Sequence, residues 1–231
     1  NSKADRVALQ AEVTQLRDEI DRVAKQTSFN GQKILDGSFV GAVFQVGANS
    51  GDNVTLGALA DTRGTGLANI SYAQGSVASI DPTTITDFAL PIDSSSTADA
   101  LTITVGTQVT NLGDIKAATS QVERLGQVVS AINAKTADTG VTAFMSKNDD
   151  GTYKLELASG ALNAAGDAAE TTITFSGFTA TLTGFSAAGT FSAAADDDKT
   201  GIDTVKVDTQ KDAWVALKKI DSAIDQVNSA R

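Results

Sequence analysis

Residues 19–35 read EIDRVAKQTSFNGQKIL, and their spacing decides how the chain is organised. Upstream, apolar side chains fall at Leu9, Val13, Leu16, Ile20 and Val23, in alternating steps of four and three. That is an a/d seam on one face of a helix. Arg17, Asp18, Asp21, Arg22 and Lys25 take other positions, so the spacing predicts a helix wet on one side and buried on the other. The pattern stops at Thr27 and Ser28, and Asn30-Gly31 supplies a pair tolerant of positive φ for a turn.

The far end repeats the pattern. In DAWVALKKIDSAIDQVNSAR the apolar positions are Ala213, Leu217, Ile220, Ile224 and Val227, again four and three apart, which makes this second helix the expected partner for the first seam. Asp208 or Thr209 is its candidate N-cap. A helix of about two dozen residues is roughly 36 Å long, which suits a shaft. The division expected is therefore a helical rod domain from residues 1–64 and 205–231, carrying an inserted α+β domain at 65–204. The fold class is α+β: two heptad helices with a β-hairpin, plus a strand-rich outer part with one packed helix.

Composition removes much chemistry. The 231 residues contain no cysteine and no histidine, so disulfides, thiol nucleophiles, the commonest general base and the commonest metal ligand are all absent. A net charge of −10 disfavours phosphate backbones and anionic lipid. No apolar run approaches the roughly 20 residues of a bilayer span. Ser-His-Asp chemistry is impossible, and GTGLAN and GFSAAG lack the lysine and context of a phosphate loop. Asp196, Asp197, Asp198 and Asp203 offer oxygens for Ca²⁺, but without EF-hand spacing they read as a solvated acidic loop, and Asn148–Asp150 reads as a turn. No enzymatic role, cofactor or metal is expected. Trp214, the single indole, has two readings: a contact on the rod surface, or a cover for the inner end of the hairpin.

Along the chain, SFVGAVFQVGANSGDNVTLG predicts a hairpin around the turn at 47–53. TTITDFALPI shows β-branched alternation broken by Pro82 and Pro91, and residues 94–97 read as a loop. LTITVGTQVTNL is β-like. Ile115, Ala118, Val122, Leu125, Val129 and Ile132 then predict a helix of about 20 residues, with Asp114 favourably placed at its N-terminus. VTAFMSKNDDGTYKLELAS predicts a hairpin turning at 148–151. The stretch 170–191 is strand-rich, AAADDDKTG reads as a loop, and residues 202–207 read as a strand returning to the rod.

Three stretches carry a family resemblance. LQAEVTQLRDEIDRVAKQTSFNGQKIL followed by FQVGANSGDNVTL resembles the N-terminal rod segment of bacterial flagellin, and ALKKIDSAIDQVNSAR resembles its C-terminal rod helix. One departure is Gln15-Leu16-Arg17, where many flagellins read Q-R-L, which moves one leucine around the helix. The strand, helix and hairpin order, with AIN near the helix end and GVTA opening the hairpin, resembles a small module of the outer domains of flagellins and hook-associated proteins.

The resemblance implies a structural subunit of an extracellular flagellar filament, exported without a cleaved signal peptide and self-assembling with other flagellin subunits for motility. It also implies that the chain, from Asn1 to Arg231, is a central fragment lacking the terminal polymerisation helices. A host Toll-like flagellin receptor is a further implied partner, and Leu9-Gln10-Ala11-Glu12 matches the segment whose glutamate contacts it, so Glu12 is the one receptor-contact residue carried over. The alternative from another class is a hook-associated adapter or an adhesin displaying the outer domain to carbohydrate, against which stands the scarcity of aromatic platforms.

Overall fold

A computed structural model describes residues 3–47, 51–68, 70, 72–95, 100–160, 171–185, 191–195 and 201–230. The acidic run 196–198 lies outside them. In chain order the first elements are α1 (Lys3–Gln26), β1 (Ser28–Phe29), β2 (Gln32–Lys33), β3 (Ala42–Gln45), β4 (Asn53–Leu56) and β5 (Ala73–Ile80). Next come β6 (Thr102–Val105), β7 (Gln108–Asn111), α2 (Gln121–Ala134), α3 (Thr136–Thr139), β8 (Val141–Lys147) and β9 (Tyr153–Ser159). The last are β10 (Thr171–Ser176), α4 (Ala180–Thr183), β11 (Phe191–Ala195) and α5 (Gln210–Ser229). Contacts group the chain into two compact units, residues 1–70 with 198–231, and residues 71–197.

In the first unit, α1 runs the full length its seam predicts. Asn30 (φ 48°) and Gly31 (φ 80°) then close the two-residue turn between β1 and β2, as their tolerance of positive φ allows. The hairpin expected from 38–57 is β3 paired with β4, with Ala42 opposite Leu56 and Gln45 opposite Asn53. Thr209 caps α5 in a full capping box with Asp212. Residues 202–204 form a 3-10 turn and not the expected strand, because among the described residues no strand runs beside them to complete a ladder; their peptide groups bond to residues 64–67 and to helix side chains instead.

The second unit is built on a seven-stranded sheet in the order β7-β6-β10-β11-β5-β9-β8, with every pair antiparallel. Residues two apart share a sheet face. Val141 and Ala143, Leu155 and Leu157, and Ile173 and Phe175 therefore point together into one core with Leu125, Val128 and Ile132 of α2. Phe175, Phe178 and Phe185 close one part of that core, with ring centroids 4.8–5.6 Å apart. Arg124, next to Leu125 on α2, is fully buried, and its guanidinium donates to the carbonyls of Phe88 (2.6 Å) and Leu90. Burial holds its pKa below the usual arginine value.

Three local expectations change here, and the β-like reading of 101–112 is sharpened. The segment 83–92 is not a strand: Pro82 starts a 3-10 turn capped by Asp81, and the strand lies earlier, at β5. LTITVGTQVTNL is a hairpin, β6 and β7, turning at Gly106. Helix α2 starts at Gln121, six residues after Ile115, because Ser120 accepts from the Glu123 N–H and the Glu123 carboxylate accepts from Thr119. Ile115 pairs with Ile92 in a β-bridge, and Asp114 accepts from Ser94. Last, β11 extends through Ala195, so 193–195 is strand and not loop.

Gly184, at φ 89°, closes α4, and a Cβ there would sit 2.8 Å from Ile80 Cγ2 and 2.9 Å from Leu125 Cδ2. Gly184→Ala combines left-handed strain with overpacking and is expected to cost about 1–3 kcal/mol. Thermal unfolding followed by circular dichroism measures this, and an unchanged Tm refutes the packing described.

Candidate assembly surface

The helices of the first unit turn a different face inward from the one their seams predict. On α1 the inward side is Gln10, Val13, Thr14, Arg17 and Ala24, with Ala24 only 1% exposed, whereas Leu16 is 66% exposed and Leu9, Ile20 and Val23 are also open. On α5 the inward side is Val215, Ala216, Lys219, Ala223 and Gln226, while Leu217 is 63% exposed and Ile220, Ile224 and Val227 are open. The expectation that the seams bury against each other is corrected accordingly.

The reason is what lies between the helices. Residues 64–68 and 201–207 are irregular, and their peptide groups need partners. Gln10 meets both groups it can reach: its Oε1 accepts from Val207 N–H at 2.7 Å and its Nε2 donates to the Val205 carbonyl at 3.4 Å. Arg17 donates to the Asp203 carbonyl, and Gln226 Oε1 accepts from Ala68 N–H at 2.8 Å. Lys219, 3% exposed, donates to the Gly201 carbonyl at 3.2 Å and to Thr204 Oγ1 at 2.7 Å. Small side chains let the segment approach: Leu67, Ala68, Ile202 and Val205 pack on Ala216, with Val13, Val207 and Ala223 beside them.

The sequence did hold a signal for this face. Gln10, Arg17 and Ala24 repeat every seven residues beside the first seam; Ala216 and Ala223, and Lys219 and Gln226, do so on α5. Reading the apolar seam alone passed over them.

With that face occupied, the two seams border an open apolar groove of about 620 Å³, lined by Ile20 and Val23 of α1, Ile220, Ile224 and Val227 of α5, and Leu35 and Leu67. Glu19 stands at its rim, paired with Arg22 at 2.5 Å. Next to it, Asp21 pairs with Lys25 (2.5 Å) and Asp61 with Arg63 (2.7 Å). Hydrogen bonds from these cations hold the Glu19, Asp21 and Asp61 carboxyls below the usual range. Glu12 is exposed on α1, and the structure brings no other sequence-predicted site residue to it. Trp214 is half-buried, with the Lys218 ammonium 5.7 Å from its ring centroid. Asp150 accepts from the Thr152 N–H and hydroxyl, a turn bond. Among the described residues no group of three or more acidic side chains is placed to hold a metal, and no helix is long and apolar enough to cross a membrane. The surface offers apolar burial and charge pairing, which is the chemistry of association.

These features define a class: an α+β chain whose terminal helices leave an apolar stripe open, with a strand-rich unit inserted between them. Two separate stretches of the chain resemble bacterial flagellin: residues 1–40 match the bacterial flagellin N-terminal helical region, and residues 100–161 match the flagellin hook IN motif. Flagellin C of Vibrio cholerae is 57% identical over 56 residues, 24% of this chain and 15% of that protein. Polar flagellin A of Vibrio parahaemolyticus is 49% identical over 82 residues, 34% of this chain and 22% of that protein. The match thus spans under a quarter of these relatives' length. The solved FliC from Burkholderia pseudomallei aligns with all of this chain and 83% of its own, at 22% identity and a TM-score of 0.47.

The depressed carboxyls give a sign for pH. Their stabilising pairs are fully present above the ordinary carboxylate range and are lost as pH falls through the lowered folded-state values, below about pH 4. Melting of the first unit is expected to lose stability on acidification from pH 5 to pH 3. The double variant Asp21→Asn, Asp61→Asn should show a shallower pH dependence, measurable as Tm against pH, and an unaltered slope contradicts the assignment.

Proposed function

We propose that this chain is a structural subunit of an extracellular bacterial flagellar filament, assembling with other flagellin subunits through the helical rod domain of residues 1–64 and 205–231, with the α+β domain of 65–204 as the outer, surface-displayed part. The observation that carries the reading is the open apolar groove of the first unit, flanked by heptad helices and lined at Ile20, Val23, Ile220, Ile224 and Val227. These five side chains are each about half exposed, so each forgoes on the order of 1 kcal/mol of burial, a gain that an added apolar surface supplies. Nothing in the surface calls for catalysis, and flagellin is a structural family. The hook-associated or adhesin-type alternative is not favoured by the flagellin matches at the N-terminal helix.

Antibodies raised against this chain and imaged by electron microscopy on cells making the native protein test it. Labelling along the whole filament is expected; labelling confined to a tip or junction sinks the filament reading.

By the same resemblance Glu12 is the residue a host Toll-like flagellin receptor contacts, exposed on α1 as such a role requires. Glu12→Ala is expected to lower receptor signalling roughly tenfold while leaving the melting curve unchanged. Equal signalling by the variant rules that role out.

A further inference from the structure

Strand β8 is an edge of the seven-stranded sheet, and an edge turns every second pair of peptide groups toward anything that comes alongside. At the start of the strand, at Val141 and Ala143, those groups are met by side chains of residues 133–139. The Val141 N–H donates to Thr139 Oγ1 at 3.2 Å, and the Thr136 hydroxyl donates to the Val141 carbonyl at 2.8 Å. Two residues on, Asn133 Oδ1 accepts from the Ala143 N–H at 2.7 Å and Asn133 Nδ2 donates to the Ala143 carbonyl at 2.9 Å. A carboxamide carries the same donor and acceptor as a peptide bond, so this one side chain reproduces the two-bond exchange that an antiparallel neighbour would make with Ala143.

Its placement is firm. Ile132, the preceding residue, is fully buried in the core, and Gly140 at φ 69° ends α3 and turns the chain straight into β8. Water would satisfy an open edge equally well, but water gives way to an arriving strand and a two-bonded amide does not. The edge it covers needs such cover: residues 141–146 read VTAFMS, without charge or proline and rich in strand formers, the composition that pairs with itself. The first charge is Lys147, at the strand's end.

We propose that Asn133, seconded by Thr136 and Thr139, is an edge guard that bars β8 from pairing with β8 of a second copy of this chain. Without it, two copies would join about a two-fold axis and extend the sheet across both.

Amide exchange in the wild-type chain, followed by NMR, gives the first reading. Alternation turns the Met145 N–H to the same side as that of Ala143, and no side-chain acceptor meets it among the described residues. The Ala143 amide is expected to exchange at least about tenfold more slowly than that of Met145; equal rates overturn the proposal, whether or not any variant folds. Sedimentation gives the second. Asn133→Ala should associate with rising concentration more strongly than wild type, and adding Ala143→Pro, which deletes the pairing N–H, should return it to wild-type behaviour. A folded Asn133→Ala chain that sediments as wild type does, or association that survives Ala143→Pro, refutes it.

Discussion

Peptide groups that neither helix nor sheet can satisfy decide how the terminal helices of this chain are turned. Residues 201–207 and 64–68 are irregular, and each of their buried N–H or carbonyl groups left alone would cost about 1–3 kcal/mol. Gln10, Arg17, Lys219 and Gln226 supply partners, and they reach only if their own faces of α1 and α5 point inward. The exposed seam is the consequence. An open Leu or Ile forgoes a gain but carries no penalty relative to the unfolded chain, whereas an orphaned buried peptide carries one outright. Polar satisfaction therefore takes precedence over apolar burial within the unit.

The second unit obeys the same accounting with different means. Its sheet satisfies itself strand by strand, so its apolar residues at alternate positions are free to build one continuous core with α2. Irregular connections are again tied by side chains. Arg124 gathers the carbonyls of Phe88 and Leu90, which lets the loop before the Ile92 bridge lie over the buried end of α2. Asp81, Asp93 and Asp150 each accept from the N–H and hydroxyl two residues on, within a turn, and Asp114 accepts from the N–H and hydroxyl of the distant Ser94; those bonds lower their pKa values.

What was legible in the sequence follows from this. A four-three spacing locates a helix, so α1 and α5 were readable, as were the Asn30-Gly31 turn and the Asn148–Gly151 hairpin. Spacing gives a period but not the identity of the neighbour, so it could not tell that Gln10 and Lys219, and not Leu16 and Leu217, would face inward. The start of α2 was missed for a related reason: Ile115 and Ala118 fit the helical period by chance, while Ser120 stands between them and the helix and caps it, with Glu123 in the first turn reaching back to Thr119. Residues 202–207 look like a strand by composition, yet a strand exists only where another offers a ladder, and that is a property of the whole fold. Asn133 was visible as part of AIN but silent in meaning, since its partner Ala143 lies across a turn.

The two units thus differ in what they leave open. The first closes its peptide groups and leaves a groove between Ile20, Val23, Ile220 and Ile224 that only another apolar surface completes. The second buries its apolar residues and meets the peptide groups at one end of its β8 edge with Asn133, Thr136 and Thr139. Association through a helical groove is directional and saturable, because one added helix fills it; association through a bare strand edge is neither, because every added strand presents a new edge. A chain that associates through the first kind stays ordered only where the second is suppressed. The open apolar stripe thus lies on the terminal helices, whereas the side chains that meet strand-edge peptide groups lie on the strand-rich unit.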